Sequence, residues 1–169
     1  MQKVSKIFQY LSVAFGAIWL GAYFSRIVLT FYLFQGNQFQ LKPFITDAFL
    51  QPIFFFLNPL LVITSVTYSL FFLCLILFVL SSRIKLKQNG WLFIILILVL
   101  TLAPFEFYLM KYDYKILTTV FYSAFDAKFI LETTIARFKL FGSFPLIHLF
   151  SFFAIIYLFI FQPFKKNEN

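Results

Sequence analysis

Residues 53–80 read IFFFLNPLLVITSVTYSLFFLCLILFVL, without one charged side chain. A helix needs about 20 apolar residues to cross the hydrocarbon core of a bilayer. Three further stretches approach or exceed that length: Phe8–Phe34, Trp91–Met110 and Phe144–Phe161. The sequence therefore predicts an all-α integral membrane protein, a four-helix bundle with spans at about 8–34, 53–80, 91–110 and 144–161.

The composition agrees with a membrane location. The chain is 62% hydrophobic and 12% charged, whereas soluble domains carry about 25% charged residues. The connections that remain outside the spans are too short for an independent soluble domain. We therefore expect residues 1–169 to form a single transmembrane domain in a lipid bilayer.

The net charge of +8 would point to nucleic acid in a soluble protein. Here the basic residues mostly flank the spans, so topology and anionic headgroups explain them better, and we expect no nucleic-acid partner. With four spans, three basic groups fall on one side: residues 3–6, 83–87 and 165–166. Under the positive-inside rule both termini are predicted to be cytoplasmic. The compact four-span layout indicates a bacterial inner membrane.

The connection before the last span is predicted to hold an interfacial helix within residues 116–141, on the outer side, beginning near Ser123. Helical spacing places Asp126, Thr133 and Arg137 on one stripe. Lys128, Glu132 and Lys139 share a nearly opposite stripe. Two polar stripes indicate either contacts with a partner subunit or a loosely patterned helix packed on its own bundle.

Four polar residues interrupt the spans: Arg26, Asn58, Glu106 and His148. Ionisable groups inside membrane helices are costly and often functional. At 1.5 Å per residue, Arg26 and Glu106 are counted from Lys6 and Lys87, and Asn58 and His148 from the outer ends of their helices; all four fall in the outer third of the bundle. One hypothesis is a polar cluster, with Arg26 paired to Glu106, that binds a quinone headgroup, a lipid phosphate or an ion, or that lies on a proton path. The alternative is that both residues extend to the outer interface, or form an ion pair that sets helix register.

Helix packing is predicted from small residues. Ala17, Gly21 and Ser25 recur at four-residue spacing on the first span, a pattern that lets another helix approach closely. The third span is bulky and aliphatic between Leu92 and Leu102, so we expect it to face lipid or a partner.

No catalytic constellation is recognisable in the sequence. Cys74 is the single cysteine and His148 the single histidine, so neither a thiol pair nor a histidine metal site can be assembled. We therefore predict no enzyme activity, no catalytic residues, no metal and no cofactor.

Two short stretches carry a resemblance. Trp19, Leu20 and Gly21 form a W-[LV]-G motif, and Arg137 is followed by His148 and Ser151 in an H-x-x-S pattern. These positions resemble a family of uncharacterised bacterial four-helix membrane proteins. The resemblance implies the same architecture and brings no established activity.

Two functions remain open. The first is a non-catalytic accessory or structural subunit of a larger, energy-transducing membrane complex, with other membrane subunits as partners. The second is a small-molecule handler that binds a quinone, a lipid headgroup or an ion at the polar cluster. A membrane enzyme ranks below both.

Overall fold

The computed structural model describes residues 3–36, 39–82, 84–122 and 125–164, with the side chains of Asp47 and Tyr122 left aside. Five α-helices and one two-stranded hairpin make up most of these residues. In chain order the elements are α1 (Lys3–Tyr32), β1 (Phe34–Gln35), β2 (Gln40–Leu41), α2 (Asp47–Ser82), a 3₁₀ turn (Leu86–Gln88), α3 (Gly90–Tyr122), α4 (Ala127–Leu140) and α5 (Phe144–Phe161).

Four of these helices, α1, α2, α3 and α5, are long and apolar enough to cross a membrane. The prediction of an all-α chain with four membrane-length helices is confirmed. Three boundaries differ from the prediction by five residues or more: α1 begins at Lys3 instead of Phe8, α2 begins at Asp47 instead of Ile53, and α3 continues past Met110 to Tyr122. The lysines and tyrosines of residues 111–115 resemble a connection in sequence, although they extend the helix.

The connection between α1 and α2 begins as a hairpin in which Phe34 pairs with Leu41 and Gln35 with Gln40. Asn37 and Gln38 lie outside the described residues.

Helix α1 is polar where it is buried and apolar where it is exposed. Its outward face presents large apolar side chains such as Ile18, Phe24 and Val28. A soluble helix would show the opposite distribution, so the pattern is that of a helix in lipid. The buried face follows a three- and four-residue spacing and consists of Ser5, Ser12, Gly16, Trp19, Tyr23, Arg26 and Thr30.

The predicted packing face of α1 was wrong within this chain. Ala17, Gly21 and Ser25 are all exposed, and a Cβ added at Gly21 would meet no atom within 4 Å. The close approach occurs at Gly16 instead, where a Cβ would lie 3.2 Å from the Phe71 ring. The polar seam, and not the stripe of small residues, determines which face turns inward, because lipid cannot solvate Arg26.

Helix α3 is a full member of the bundle, which corrects the predicted lipid- or partner-facing position. Trp91, Leu92 and Ile95 are buried in the main aromatic core. The opposite face stays exposed, with Phe93 and Ile97 both about half accessible. The sequence of a uniformly bulky helix does not show which face points into the bundle, since both faces are equally apolar.

Helices α4 and α5 run in the same direction along α3. Ile130 of α4 packs in one cluster with Ile116 of α3. Phe144, at the start of α5, contacts Phe105 at 5.3 Å between ring centroids, and Phe159 near its end contacts Trp91 at 5.9 Å. The two helices thus run antiparallel to α3, one after the other. The break includes Gly142, whose φ of +50° favours glycine.

The predicted interfacial segment 116–141 needs correction at its start. Its first residues belong to α3, where Ile116 is buried, and Ser123 lies outside the described residues. Helix α4 begins at Ala127, capped by the Asp126 side chain, which accepts a hydrogen bond of 3.0 Å from the Phe129 amide.

The two predicted stripes of α4 are distinct in the structure. Thr133 and Arg137 are buried, while Lys128, Glu132 and Lys139 are exposed. Asp126 leaves its stripe because it is an exposed helix cap. Helix α4 therefore directs the Thr133–Arg137 stripe into its own bundle.

Candidate functional site

Five ionisable side chains from four helices meet inside the bundle. Arg26 comes from α1, Glu106 and Asp113 from α3, Arg137 from α4 and His148 from α5. Each residue is less than 5% exposed. We call these five residues the ion network.

Asp113 binds both arginines of the ion network. Arg26 donates two hydrogen bonds to its carboxylate, one from Nη1 to Oδ2 at 2.9 Å and one from Nη2 to Oδ1. Arg137 Nε lies 2.9 Å from the same Oδ1. The two-pronged geometry between Arg26 and Asp113 is the strongest form of this contact, and it fixes α1 against α3.

Arg137 also reaches the second carboxylate. Its Nη2 lies 3.7 Å from Glu106 Oε1, and His148 Nδ1 lies 3.3 Å from Glu106 Oε2. Arg137 therefore bridges two carboxylates that are two helical turns apart on α3. Two guanidinium groups thus face two carboxylates inside the bundle.

The environment keeps Arg137 charged. Burial lowers the pKa of its guanidinium, but Asp113 and Glu106 outweigh burial and raise the pKa above its ordinary value. A buried charge without such partners would be very costly. The pairing thus explains how α4 carries an arginine into the bundle.

The predicted pairing of Arg26 with Glu106 was wrong. Arg26 and Asp113 lie equally far from the first residues of their helices, Lys3 and Gly90. Glu106 lies two turns nearer the start of α3, at the level of His148. The predicted heights were counted from Lys6 and Lys87, which made Arg26 and Glu106 look level. The alternative that both side chains extend to the interface is also contradicted, because both are buried.

An aromatic cage surrounds His148. The imidazole is completely buried, and its ring centroid lies 4.6 Å from that of Trp19. The other cage rings lie 5.3–5.6 Å away and belong to Tyr23, Tyr68, Phe144 and Phe152. Because α5 begins at Phe144, the cage lies just inside the break between α4 and α5.

Asn58 is buried, as the other three predicted residues are, but no described contact joins it to the ion network. It is 2% exposed, and neither polar atom of its amide has a hydrogen-bond partner among the described residues. The structure therefore brings together Arg26, Glu106 and His148 through Asp113 and Arg137, and leaves Asn58 apart.

Several buried polar atoms beside the ion network also lack a hydrogen-bond partner within the described part of the chain. They include the hydroxyl groups of Tyr23 and Tyr68, Nε1 of Trp19 and Nε2 of His148. A cavity of about 20 Å³ adjoins Arg26 and is lined further by Thr30, Thr134 and apolar side chains. That volume holds about one water molecule.

Within residues 3–36, 39–82, 84–122 and 125–164, no three His, Cys, Asp or Glu side chains come close enough together to hold a metal ion. Glu106, His148 and Asp113 do not converge on one point, because Arg137 lies between the two carboxylates.

Two network residues were missed as site candidates, Asp113 and Arg137. A signal for Asp113 exists, because it follows Glu106 by seven residues and so shares its helix face. Ending α3 at Met110 concealed this relation. Arg137 was placed on the correct stripe of α4, but the sequence does not show which partner that stripe meets.

Comparison of the chain with models of known protein families, with curated proteins and with solved structures finds no match. The resemblance seen at Trp19–Gly21, Arg137, His148 and Ser151 therefore stays a prediction.

Proposed function

We propose that this chain is a non-catalytic accessory or structural subunit of a larger membrane complex, placed in a bacterial inner membrane with both termini cytoplasmic. The observation that carries the proposal is an open apolar groove of about 430 Å³ at the end of the bundle that holds α4. The groove lies between the start of α2 and the residues around Val120 and Phe125. Its other lining residues are Gln51, Pro52, Phe55 and Phe56.

The height of the groove argues that lipid tails do not cover it. Helix α5 has 18 residues, about 27 Å, which matches a hydrocarbon core of about 30 Å. Its outer end lies beside Phe105. Val120 is 15 residues further along α3, so the groove is about 22 Å beyond that end.

Exposed apolar surface at such a height marks a protein contact. Phe55 and Phe56 are 61% and 78% exposed. Exposed charged residues of α4, Lys128 and Glu132, belong to the same end of the bundle. A partner subunit that covers the phenylalanines would remove this apolar surface from water and leave the charged residues exposed.

The closed ion network supports a role without catalysis. Its charges are neutralised by one another, and the cavity beside Arg26 has room for about one water. Such a network holds α1, α3, α4 and α5 in a single arrangement. We infer that it keeps the groove-bearing end in the shape that a partner binds.

Crosslinking from the groove tests the proposal. A photoreactive phenylalanine analogue replaces Phe56 in cells, and the matched control carries it at Phe153, which is 54% exposed on α5. We expect a covalent adduct with a different polypeptide from position 56 and lipid adducts from position 153. Lipid adducts alone from both positions, together with an isolated chain in mild detergent, would contradict the proposal.

A second candidate is a small-molecule handler at the ion network. It is favoured by the unpartnered polar atoms of Tyr23, Tyr68 and His148 and by the helix break beside them, since broken helices often form ion sites in transporters. Of the ligands predicted, the cavity size favours an ion or a proton over a quinone or a lipid headgroup.

Replacing Glu106 with Gln separates the two candidates. In the handler, E106Q abolishes ion or proton uptake into proteoliposomes while the protein stays folded. In the accessory subunit, E106Q changes stability only, and the Phe56 adduct still forms. If the wild-type protein takes up neither ions nor protons, the second candidate is excluded.

A further inference from the structure

Five lysines surround the end of the bundle that carries α4 and the hairpin. Lys111, Lys115, Lys128 and Lys139 are exposed, and Lys42 is half-buried. We call these five residues the basic collar. They come from α3, α4 and the β2–α2 connection, so the collar reaches several sides of the bundle.

Two lysines of the basic collar, Lys111 and Lys139, lie where headgroups are expected, whereas Lys42 and Lys128 lie further out, near the level of the groove. Lys111 precedes Asp113 by two residues, and Lys139 follows Arg137 by two, so both lie near the level of the ion network. Helix α5, about 27 Å long, occupies the space between this level and the opposite end, which carries Lys3 and Lys6. A hydrocarbon core of about 30 Å therefore fits between the two sets of lysines.

Aromatic rings accompany four of the lysines. Lys42 Nζ lies 3.6 Å from the centroid of Tyr32, and Lys111 Nζ lies 5.0 Å from that of Tyr108. The same arrangement recurs for Lys115 over Tyr112 at 5.7 Å and for Lys139 over Phe39 at 5.8 Å. Aromatic and basic residues combine in this way at the membrane interface, with the ring near the acyl boundary and the ammonium in the headgroups.

The collar carries a surplus of positive charge. The carboxylates of Glu106 and Asp113 are neutralised by buried arginines. On the described surface of this end the exposed carboxylates are Asp126 and Glu132, and Asp126 also accepts the capping hydrogen bond of α4. Lysines close to a membrane surface are attracted to anionic headgroups.

We propose that the basic collar binds the headgroups of anionic phospholipids through its members nearest the hydrocarbon core, Lys111, Lys115 and Lys139, and thereby anchors the end of α4 at the membrane surface. An anionic lipid fits better than an acidic protein, because Lys111 and Lys139 lie at headgroup height with aromatic rings beside them. The proposal is independent of the partner subunit and of the ion network.

Lipid titration of the purified protein tests the collar, with dioleoyl-phosphatidylglycerol as probe and dioleoyl-phosphatidylcholine as reference. The variant is K111Q/K115Q/K128Q/K139Q. The matched control, K3Q/K6Q/K85Q/K87Q, removes the same charge from the opposite end. The corresponding Lys→Arg collar variant keeps the charge and checks that the fold tolerates substitution. Thermal unfolding and native mass spectrometry report stabilisation and retained lipids.

We expect phosphatidylglycerol to raise the Tm of the wild type, the control and the Lys→Arg variant more than phosphatidylcholine does. The Lys→Gln collar variant should lose most of this preference and retain fewer anionic lipids. An equal loss of lipid preference in the collar variant and the control would overturn the proposal, since the total charge and not its position would then determine the preference. Absence of any preference in the wild type would overturn it as well.

Discussion

At the scale of single residues, Asp113 has the most connections in the ion network. It accepts from Arg26 through both oxygens and pairs with Arg137. Glu106 has the looser geometry, at 3.7 Å from Arg137 and 3.3 Å from His148. Removing one partner of a buried ion pair costs more than removing both, because an unpaired charge remains.

We therefore predict that Asp113→Asn destabilises the protein by roughly 3–5 kcal/mol, since Arg26 then loses its carboxylate partner and Arg137 keeps only Glu106. Equilibrium unfolding in mixed detergent micelles measures the change. The double variant D113N/R26L restores the balance of charges and should recover part of the loss. If the double variant is as unstable as the sum of the single variants, the two residues are not coupled.

Two glycines of α1 provide a matched pair. A side chain at Gly16 meets Phe71, whereas Gly21 faces open space. We predict that Gly16→Leu costs about 1–3 kcal/mol through overpacking and that Gly21→Leu leaves the stability of the isolated protein nearly unchanged. Thermal unfolding of the two variants in detergent compares them, and equal losses would contradict the assigned packing face.

At the scale of secondary structure, α4 is joined to the ion network by one charged residue. Arg137 is the charged residue by which α4 enters the ion network, and Ile130 provides a neighbouring apolar contact. The helix is short, and its exposed face carries Lys128, Glu132 and Lys139. Packing therefore holds α4 more than its intrinsic helix preference does.

We predict that Arg137→Leu loosens α4 selectively. Glu106 then keeps only His148 as a partner, and the stripe that faces α3 loses its ionic contact. Hydrogen exchange should increase several-fold in the amides of 127–140, while the amides of α1 and α2 stay protected. A uniform increase along all helices would show that Arg137 supports the whole bundle instead. Arg137→Lys, which keeps the charge but not the bridging shape, should give an intermediate result.

At the scale of the whole molecule, buried polar groups lie inside beside the aromatic core, and the outward helix faces are largely apolar. The buried seam of α1 combines Ser12, Tyr23 and Arg26, while Phe24 and Val28 face outward. In water this arrangement would expose too much apolar surface to be stable. In lipid the outward face needs no further cover, and the ion network provides directional contacts that apolar packing lacks.

The bundle predicts a definite topology. Because α1 and α2 are antiparallel and four helices are of membrane length, Lys6 and Lys85 should lie on one side and Lys42 and Lys128 on the other. Single cysteines at these positions, in a Cys74→Ala background, can be labelled in sealed vesicles. We expect the first pair to react only from the cytoplasmic side and the second pair only from the other. Joint labelling of Lys6→Cys and Lys128→Cys from one side would contradict this topology.

The sequence by itself determined the class of this protein, because 18 or more nearly uncharged apolar residues cannot remain in water, and no partner is needed to see it. It also identified Arg26, Glu106 and His148, since an ionisable group within such a stretch must be buried or paired. Only the tertiary structure decided the pairing. Whether Arg26 meets Glu106 or Asp113 depends on the relative height of two helices, which composition does not contain. The end of α3 and the inward face of α4 were hidden for a related reason: their lysines point outward, and only the assembled bundle shows which side of a helix is outside.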